Sequence, residues 1–484
     1  MKIFNISIKK HVLFIMLLTL LTGCDDWIDV DTDPNSIVDG PLITEDIMLI
    51  GIEAEWAVLA TERFETWNGF PQWLSWHAIE GSVPPNFTIV PSYGNAVWNS
   101  YSASLKHAVE LYEKAKENGN THYQGVAGII AAFHWFYIAD VYDQAPLEEA
   151  MQGLDALQPS LASQATLYAR ANGLLDEAIT LLSAPNQGDL VPDTDDYLLN
   201  GDMDKWIRYA YSLKARQALR LSYDPSTSKT TQADLVLSFL QNGMTSNDDN
   251  VMWKHLEELT NANPLWGYMT RAYSGGLGLT PGNFLIDLMN SYNDPRRPIM
   301  FTFSEEFPDG FVGLRAGEVV QPGKTPSHWR FTYLSMSYPA QIMMYAETEF
   351  IKAEAYAFKG QWALAEEAMK AGIRADMEFV GVDPVDIDSY LAQASLTMPT
   401  NEEDAQRLIM EQKYMANLYR TNETYFDWIR TGYPLFDFEY MLNNVGNAET
   451  FPRRFPYPLN EVERNPNITG QPNWLVKGTT WDNK

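Results

Sequence analysis

Apolar residues recur at helical spacing over residues 96–117 and again over 122–143, and the stretch Asn118-Gly119-Asn120 between them carries no apolar residue. A break of that composition stops one helix and turns the chain, so the pair predicts a helical hairpin. The same periodicity predicts helices over 164–183, 204–222, 232–242, 341–375 and 402–419. Residues 61–95 and 244–340 show no such period. They are dense in Gly, Pro, Asn and aromatic residues and are too long for ordinary connections. The pattern predicts a mainly α fold in which long loop insertions hang on a helical frame, and such loops are where binding residues tend to lie.

One helix pair can be read closely. In AETEFIKAEAYAFKGQWALAEEAMKAGIRADME, residues 346–378, Ala353 is followed by Tyr356, a turn at Gly360, then Trp362, Ala365, Met369 and Gly372. This alternation of small and large positions is that of a tetratricopeptide unit. Ala353, Ala365 and Gly372 would let the two helices approach, with Tyr356, Trp362 and Met369 filling the groove. Glu349 and Lys352 occupy slots that are usually apolar, and no second copy recurs at a fixed period. A plain helical hairpin therefore stays open as an alternative.

The N-terminus has a different character. Lys2, Lys9 and Lys10 precede the apolar run Val12 to Leu21, which is ten residues long. A bilayer-spanning helix needs about 20 such residues, so residues 1–23 read as an export signal, not as part of the fold. The run ends in Leu21-Thr22-Gly23-Cys24, which resembles a bacterial lipobox. That resemblance implies diacylglyceryl attachment at Cys24, cleavage before it and a mature chain held to a membrane by lipid. Cys24 is the only cysteine, which rules out a disulfide within one chain. The alternative for a lone cysteine is a buried free thiol. No later stretch reads as apolar for long enough to cross a bilayer. Residues 24–40 read as an extended leash, with residues 41–484 forming one helical domain. Asp29, Asp31 and Asp33 imitate the start of a calcium loop, but Pro34 and Gly40 stand where its glycine and bidentate glutamate belong.

Charge narrows the partners. The chain carries a formal charge of −29, and removing residues 1–23 takes away three lysines and no acidic residue, leaving −32. Such a surface repels nucleic acid. No HExxH, GxSxG, P-loop or dinucleotide fingerprint is present, and the seven histidines form no pair at metal-ligand spacing. The sequence therefore points to no cofactor and no metal. A glycoside hydrolase needs only two carboxylates about 5–9 Å apart, so a surface hydrolase is the alternative that 63 acidic residues leave open.

The aromatic residues are unevenly spread. Five of the 15 tryptophans, Trp56, Trp67, Trp73, Trp76 and Trp98, fall within residues 56–98. Trp56 and Trp98 lie on predicted helices and read as core. In FETWNGFPQWLSWHAIEG, residues 64–81, Trp67, Trp73 and Trp76 are interleaved with Asn68, Gln72 and His77. In NPLWGYMTRAYSGG, residues 263–276, Trp266, Tyr268 and Tyr273 flank Arg271. A sugar ring has an apolar CH face and a hydroxylated rim, and flat aromatic platforms beside amide or charged partners suit it. Trp67, Asn68, Gln72, Trp73, Trp76, Trp266, Tyr268, Arg271 and Tyr273 are therefore the candidate ligand residues. Burial in the core is the competing role for each ring.

Five landmarks in order make the chain resemble one family: the lipobox and leash with VDTDPN, FYIADVYDQAPLEEAM at 136–151, MMYAETEFIKAEAYAFKG at 343–360, MEQKYMANLYRTNETYFDWIRTGYP at 410–434, and PRRFPYPLNEVERNPN at 452–467. They resemble the SusD/RagB family. YDQAPL stands where relatives commonly read like YGDVPY. The resemblance implies an outer-membrane lipoprotein of Bacteroidetes-type bacteria, facing the cell exterior and built on four tetratricopeptide-like helix pairs with a loop-rich, ligand-binding portion. It implies capture of oligosaccharide or peptide and delivery to a SusC-like TonB-dependent transporter, without catalysis.

Overall fold

The computed structural model describes residues 43–61, 74–76, 95–267, 279–304, 310–315, 326–436, 453–470 and 478–482. Its frame is a run of helices: α1 (Glu45–Thr61), α2 (Ser104–Asn118), α3 (Thr121–Tyr142), α4 (Gln164–Leu182), α5 (Met203–Arg220), α6 (Lys229–Leu240), α7 (Asn283–Ser291), α8 (Tyr345–Phe358), α9 (Trp362–Val380), α10 (Pro384–Leu391), α11 (Glu402–Ala416) and α12 (Thr421–Thr431). Four hairpin-like pairs, α2–α3, α4–α5, α8–α9 and α11–α12, follow one another. Adjacent members pack in sequence, with α3 on α4, α5 on α6 and α8 on α11. This is the tetratricopeptide-like arrangement.

The predicted hairpin at 118–120 is present, and its chemistry is simple. Gly119 ends α2 in the left-handed region at φ 74°, where its N–H reaches the Ala115 and Lys116 carbonyls. Glycine adopts that conformation without a Cβ penalty. Helix starts use side-chain caps: Ser163 accepts from the Thr166 N–H, Asp202 from Lys205 and Asn401 from Asp404. In the α8–α9 pair the close approach lies at Gly372, where an added Cβ would stand 3.0 Å from the Ala346 carbonyl and from the Phe350 ring. Ala353, Ala365 and Met369 are fully buried there, whereas Tyr356 and Trp362 are only half-buried. The groove is thus filled mainly by Met369.

Some elements differ from the periodicity. Helix α8 starts at Tyr345, not near 341, because Ala340–Met343 forms a strand, buried throughout, that pairs antiparallel with Val251–Trp253. Asn250 then bonds the Tyr345 N–H at 2.7 Å and sets the start of the helix. Helix α3 also corrects the expectation that no later stretch matches a membrane span. It is long and apolar enough by composition, but its whole apolar window is buried by neighbouring helices. Its uniform apolarity follows from that central place. Trp56 and Trp98 are core residues, as their helical context predicts.

Charged residues hold the centre of this frame. Glu347 on α8 receives a bidentate pair from Arg216 on α5, at 2.8 and 2.9 Å, and Arg420 lies 3.7 Å away. Arg220 joins Asp140 on α3 to Glu423 on α12. Glu354 takes two bonds from Arg430, at 2.8 and 2.9 Å, and Asp427 binds both Arg430 and Lys413. Burial favours the neutral form of Asp427, but Lys413 and Arg430 outweigh it and hold the carboxyl down at about 2.

Candidate functional site

The loop-rich portion lies against this frame as an irregular layer of short strands. Leu74–Trp76, which we term β1, pairs antiparallel with β2 (Leu279–Pro281), and Trp76 stands opposite Leu279. The layer continues through Leu314, whose N–H donates to the Pro281 carbonyl at 3.0 Å and whose carbonyl accepts from Asn283 at 2.8 Å. The close approach requires glycine at 313. A Cβ there would lie 2.5 Å from the Gly282 carbonyl oxygen and 2.6 Å from the Asn283 backbone. Next, the Ser327 N–H donates to Val312, and the Thr302 N–H to His328, both at 2.8 Å.

This pairing bears directly on the two aromatic segments. β1 lies inside residues 64–81, and β2 begins three residues after the segment 263–276 ends. The antiparallel register sets residues 74–76, within the first segment, beside residues 279–281, far away in sequence. Trp76 is placed at the end of β1. Trp266 lies half-buried in a helical turn held by Asn263, which donates from its backbone to Met336 at 2.7 Å and from its side chain to Tyr338 at 2.6 Å. Trp67, Asn68, Gln72, Trp73, Tyr268, Arg271 and Tyr273 lie outside the described residues, as do Cys24 and the aspartates of the leash.

One of the polar links between layer and frame runs through Tyr338. Tyr338 accepts a bond from Gln341 at 2.7 Å, and Gln341 in turn accepts one from Arg420, the arginine beside Glu347. Around Tyr338 the rings of Tyr333, Tyr419 and Trp329 form a cluster, with centroids 5.3 Å apart for Tyr333–Tyr338, 5.2 Å for Tyr338–Tyr419 and 5.7 Å for Trp329–Tyr419. Burial raises the Tyr338 and Tyr419 hydroxyls above the usual phenol range. Both stay neutral at any physiological pH.

A hydrolytic carboxylate pair would have to reach a ligand. Glu53 on α1 lies near Asp196, and burial, with Asp196 beside it, pushes the Glu53 carboxyl well above the usual range. Both are fully buried, so this pair is closed to a glycosidic bond. Among the described residues no group of three His, Asp or Glu side chains is arranged to hold a metal.

The sequence landmarks fall on the frame. Asp140, Glu347, Glu354, Lys413, Arg420, Glu423, Asp427 and Arg430 belong to three of the five quoted stretches, and all are buried in the ion network. A fourth, PRRFP, contributes Arg454 and Phe455, which bond the Tyr142 and Val141 carbonyls at the end of α3. What sequence reasoning missed is Asn263, Gln341 and the tyrosine cluster under the loops. Their only signal is a density of Tyr residues between 333 and 345.

Comparison with known proteins agrees with the geometry. The chain matches the SusD-like family described as "Starch-binding associating with outer membrane" over residues 45–458. Comparison with curated proteins gives no match. Among solved structures, a SusD homologue from Bacteroides uniformis is 23% identical with a TM-score of 0.75, covering 90% of this chain and 99% of its own. A SusD/RagB family protein from Bacteroides thetaiotaomicron is 22% identical, with a TM-score of 0.71 and coverages of 91% and 99%. A chitin-binding SusD homologue from Flavobacterium johnsoniae is 20% identical, with a TM-score of 0.72 and coverages of 90% and 97%. At these identities the structures speak for the fold, and the family match over most of the chain decides membership: this protein belongs to the SusD-like family.

Proposed function

We propose that this chain is a cell-surface lipoprotein that captures an oligosaccharide and delivers it to a SusC-like TonB-dependent transporter in the outer membrane. The observation that carries the reading is the match to the family described as starch-binding and associating with the outer membrane, over 45–458. The family description points to α-glucans, and the chitin-binding neighbour adds chitooligosaccharides as a second class to try. Attachment is assigned to lipid on Cys24. The ligand platform is assigned to Trp67, Asn68, Gln72, Trp73, Trp76, Trp266, Tyr268, Arg271 and Tyr273.

A tethered binder cannot move its ligand across a bilayer alone, so a pore must take over. If residues 25–40 behave as a flexible chain, their root-mean-square reach is about 20 Å, enough for the globule to swing over a barrel while its acyl chains stay in place. A lid that is retained between openings needs a lasting interface, of order 2,000 Å² or more. Extraction in mild detergent and affinity purification of this chain should recover a protein of TonB-dependent-transporter size in near-equal amount. Recovery of this chain alone, with the transporter co-expressed, overturns the lid model. Incubation with bound glycan should release no new reducing ends; their appearance would favour a hydrolase.

A further inference from the structure

Helix α1 is apolar on its outer side as well as its inner one. Leu49, Ile52, Trp56 and Ala57 are buried in the core. On the opposite side Ile47, Ile50, Gly51, Ala54 and Val58 recur at the three- and four-residue steps that keep one face of a helix in line. Gly51 is exposed, Ile50 and Ala54 are partly so, and Ile47 and Val58 stand 52% and 39% open to solvent. None of the five carries a polar side chain. From Ile47 to Val58 the face runs about 17 Å along the helix.

A neighbouring segment widens this face. The Tyr197 N–H donates to Glu53 at 2.8 Å, one helical turn from Ile50, and the Tyr197 ring, itself half open, rests on Trp253 with centroids 5.4 Å apart. Large residues stand at both ends of the face, Ile47 and Val58, and small ones, Gly51 and Ala54, at its centre. An added Cβ on Gly51 would meet nothing within 4 Å. The result is a shallow apolar saddle that takes a partner's side chain. A helix that is apolar all round is ordinarily buried all round, and α1 is buried on one side only.

We propose that the outer face of α1 is a docking surface for the membrane-embedded transporter. The assignment rests on the capture-and-delivery reading above and names the part of this chain that makes the contact. Chain length selects the occupant. Helix α1 is the first described helix after the leash, whose reach of about 20 Å keeps it beside the membrane once Cys24 carries lipid. Charge argues against the other occupants. The helix has four acidic residues and no basic one, the reverse of helices that lie on lipid headgroups. A second copy would bring together two chains that each carry a formal charge of −29. An interface of order 2,000 Å² needs a centre from which charged residues are depleted, and α1 with Tyr197 supplies one.

The test joins a substitution that spares the fold with cross-linking. Gly51→Arg puts a charged side chain on the open centre of the face, so the thermal midpoint of the lipid-free chain should stay at or above that of the wild type. Recovery of the co-expressed transporter with this chain in mild detergent should fall at least about tenfold, as expected when charge enters the apolar core of an interface. Photo-reactive p-benzoylphenylalanine in place of Ile47 should give an adduct with the summed mass of this chain and the transporter. Wild-type recovery by Gly51→Arg, or an adduct with lipid or with a second copy, overturns the docking face and leaves the delivery reading intact. So does a lowered midpoint, which would mean that another part of this chain covers the face. If the wild-type chain recovers no transporter, the delivery reading itself falls and the face loses its occupant.

Discussion

Arg420 and Phe303 stand at opposite extremes of this molecule. Arg420 is almost completely buried and ties helices together among carboxylates, amides and a tyrosine; Phe303 is an apolar ring held out toward solvent. In the helical frame, charge is inside and does structural duty. In the loop layer, an aromatic ring is outside, packed on the Phe311 ring. The contrast reverses the usual expectation that charge lies at the surface and rings in the core. It also separates two kinds of sequence signal: the family landmarks within the described residues belong to the frame and its contacts, while the residues proposed for the ligand lie in loops that carry no periodic pattern.

The largest test of that division removes a charge from the frame. Glu354 is buried and shared by Arg430, at 2.8 Å, and Lys413, at 3.8 Å. Glu354→Ala leaves Asp427 alone to balance two buried cations. Breaking a buried pair in this way typically costs about 3–5 kcal/mol, because a desolvated charge is left without its partner. Chemical denaturation should show that loss, with the m-value unchanged. A loss under about 1 kcal/mol would mean that water reaches the network and that the frame does not depend on these pairs in the way argued.

The second test uses pH. Glu53 and Asp196 are fully buried, and Glu53 accepts the Tyr197 N–H at 2.8 Å while its surroundings favour the protonated form of its carboxyl. Its folded pKa is raised by burial first and by Asp196 second, with Asp195 adding to the effect. The folded state therefore binds the proton more tightly than the unfolded state, whose value is about 4.3. The resulting contribution is complete below about pH 4 and is lost as pH rises toward the folded value, at up to about 1.4 kcal/mol per pH unit. Glu53→Gln removes this titration. Thermal unfolding between pH 4 and pH 8 should show the variant gaining on the wild type as pH rises. Parallel curves would mean that Glu53 ionises in place.

Legibility follows the same division. Helices α2 to α6 were readable because an amphipathic period, a left-handed glycine and capping side chains are local properties of the chain. Helix α1 is legible only as the helical context of Trp56, without bounds: Trp56, Ile52 and Glu53 are all buried, so it packs on several sides and shows no single apolar stripe. The strand Ala340–Met343 reads as helix in the sequence because four buried residues have no readable period, and only the partner at 251–253, far off in sequence, decides between the two. Likewise nothing in residues 74–76 announces their pairing with 279–281. The aromatic segments can be named as candidates from composition alone, but the pairing of residues 74–76 and the Asn263 anchor depend on long-range backbone contacts that no local window contains.

The smallest expected effect is also the one that most directly separates frame from layer. Trp266 is half-buried on a turn that Asn263 fixes independently of the indole, through bonds to Met336 and Tyr338. If the ring serves a ligand, its removal should leave that turn standing. Trp266→Ala should then lower glycan affinity by about 0.5–1.5 kcal/mol, the value of one aromatic contact beyond simple burial. The unfolding midpoint should stay close to that of the wild type. If instead the indole fills the core, truncation should cost about 3–5 kcal/mol of stability, as for other large-to-small changes at packed sites. Titration calorimetry with maltohexaose, run beside chemical denaturation on the same preparation, places Trp266 on one side or the other. A variant that loses stability and keeps affinity would move Trp266 into the frame and leave the binding platform to the remaining rings.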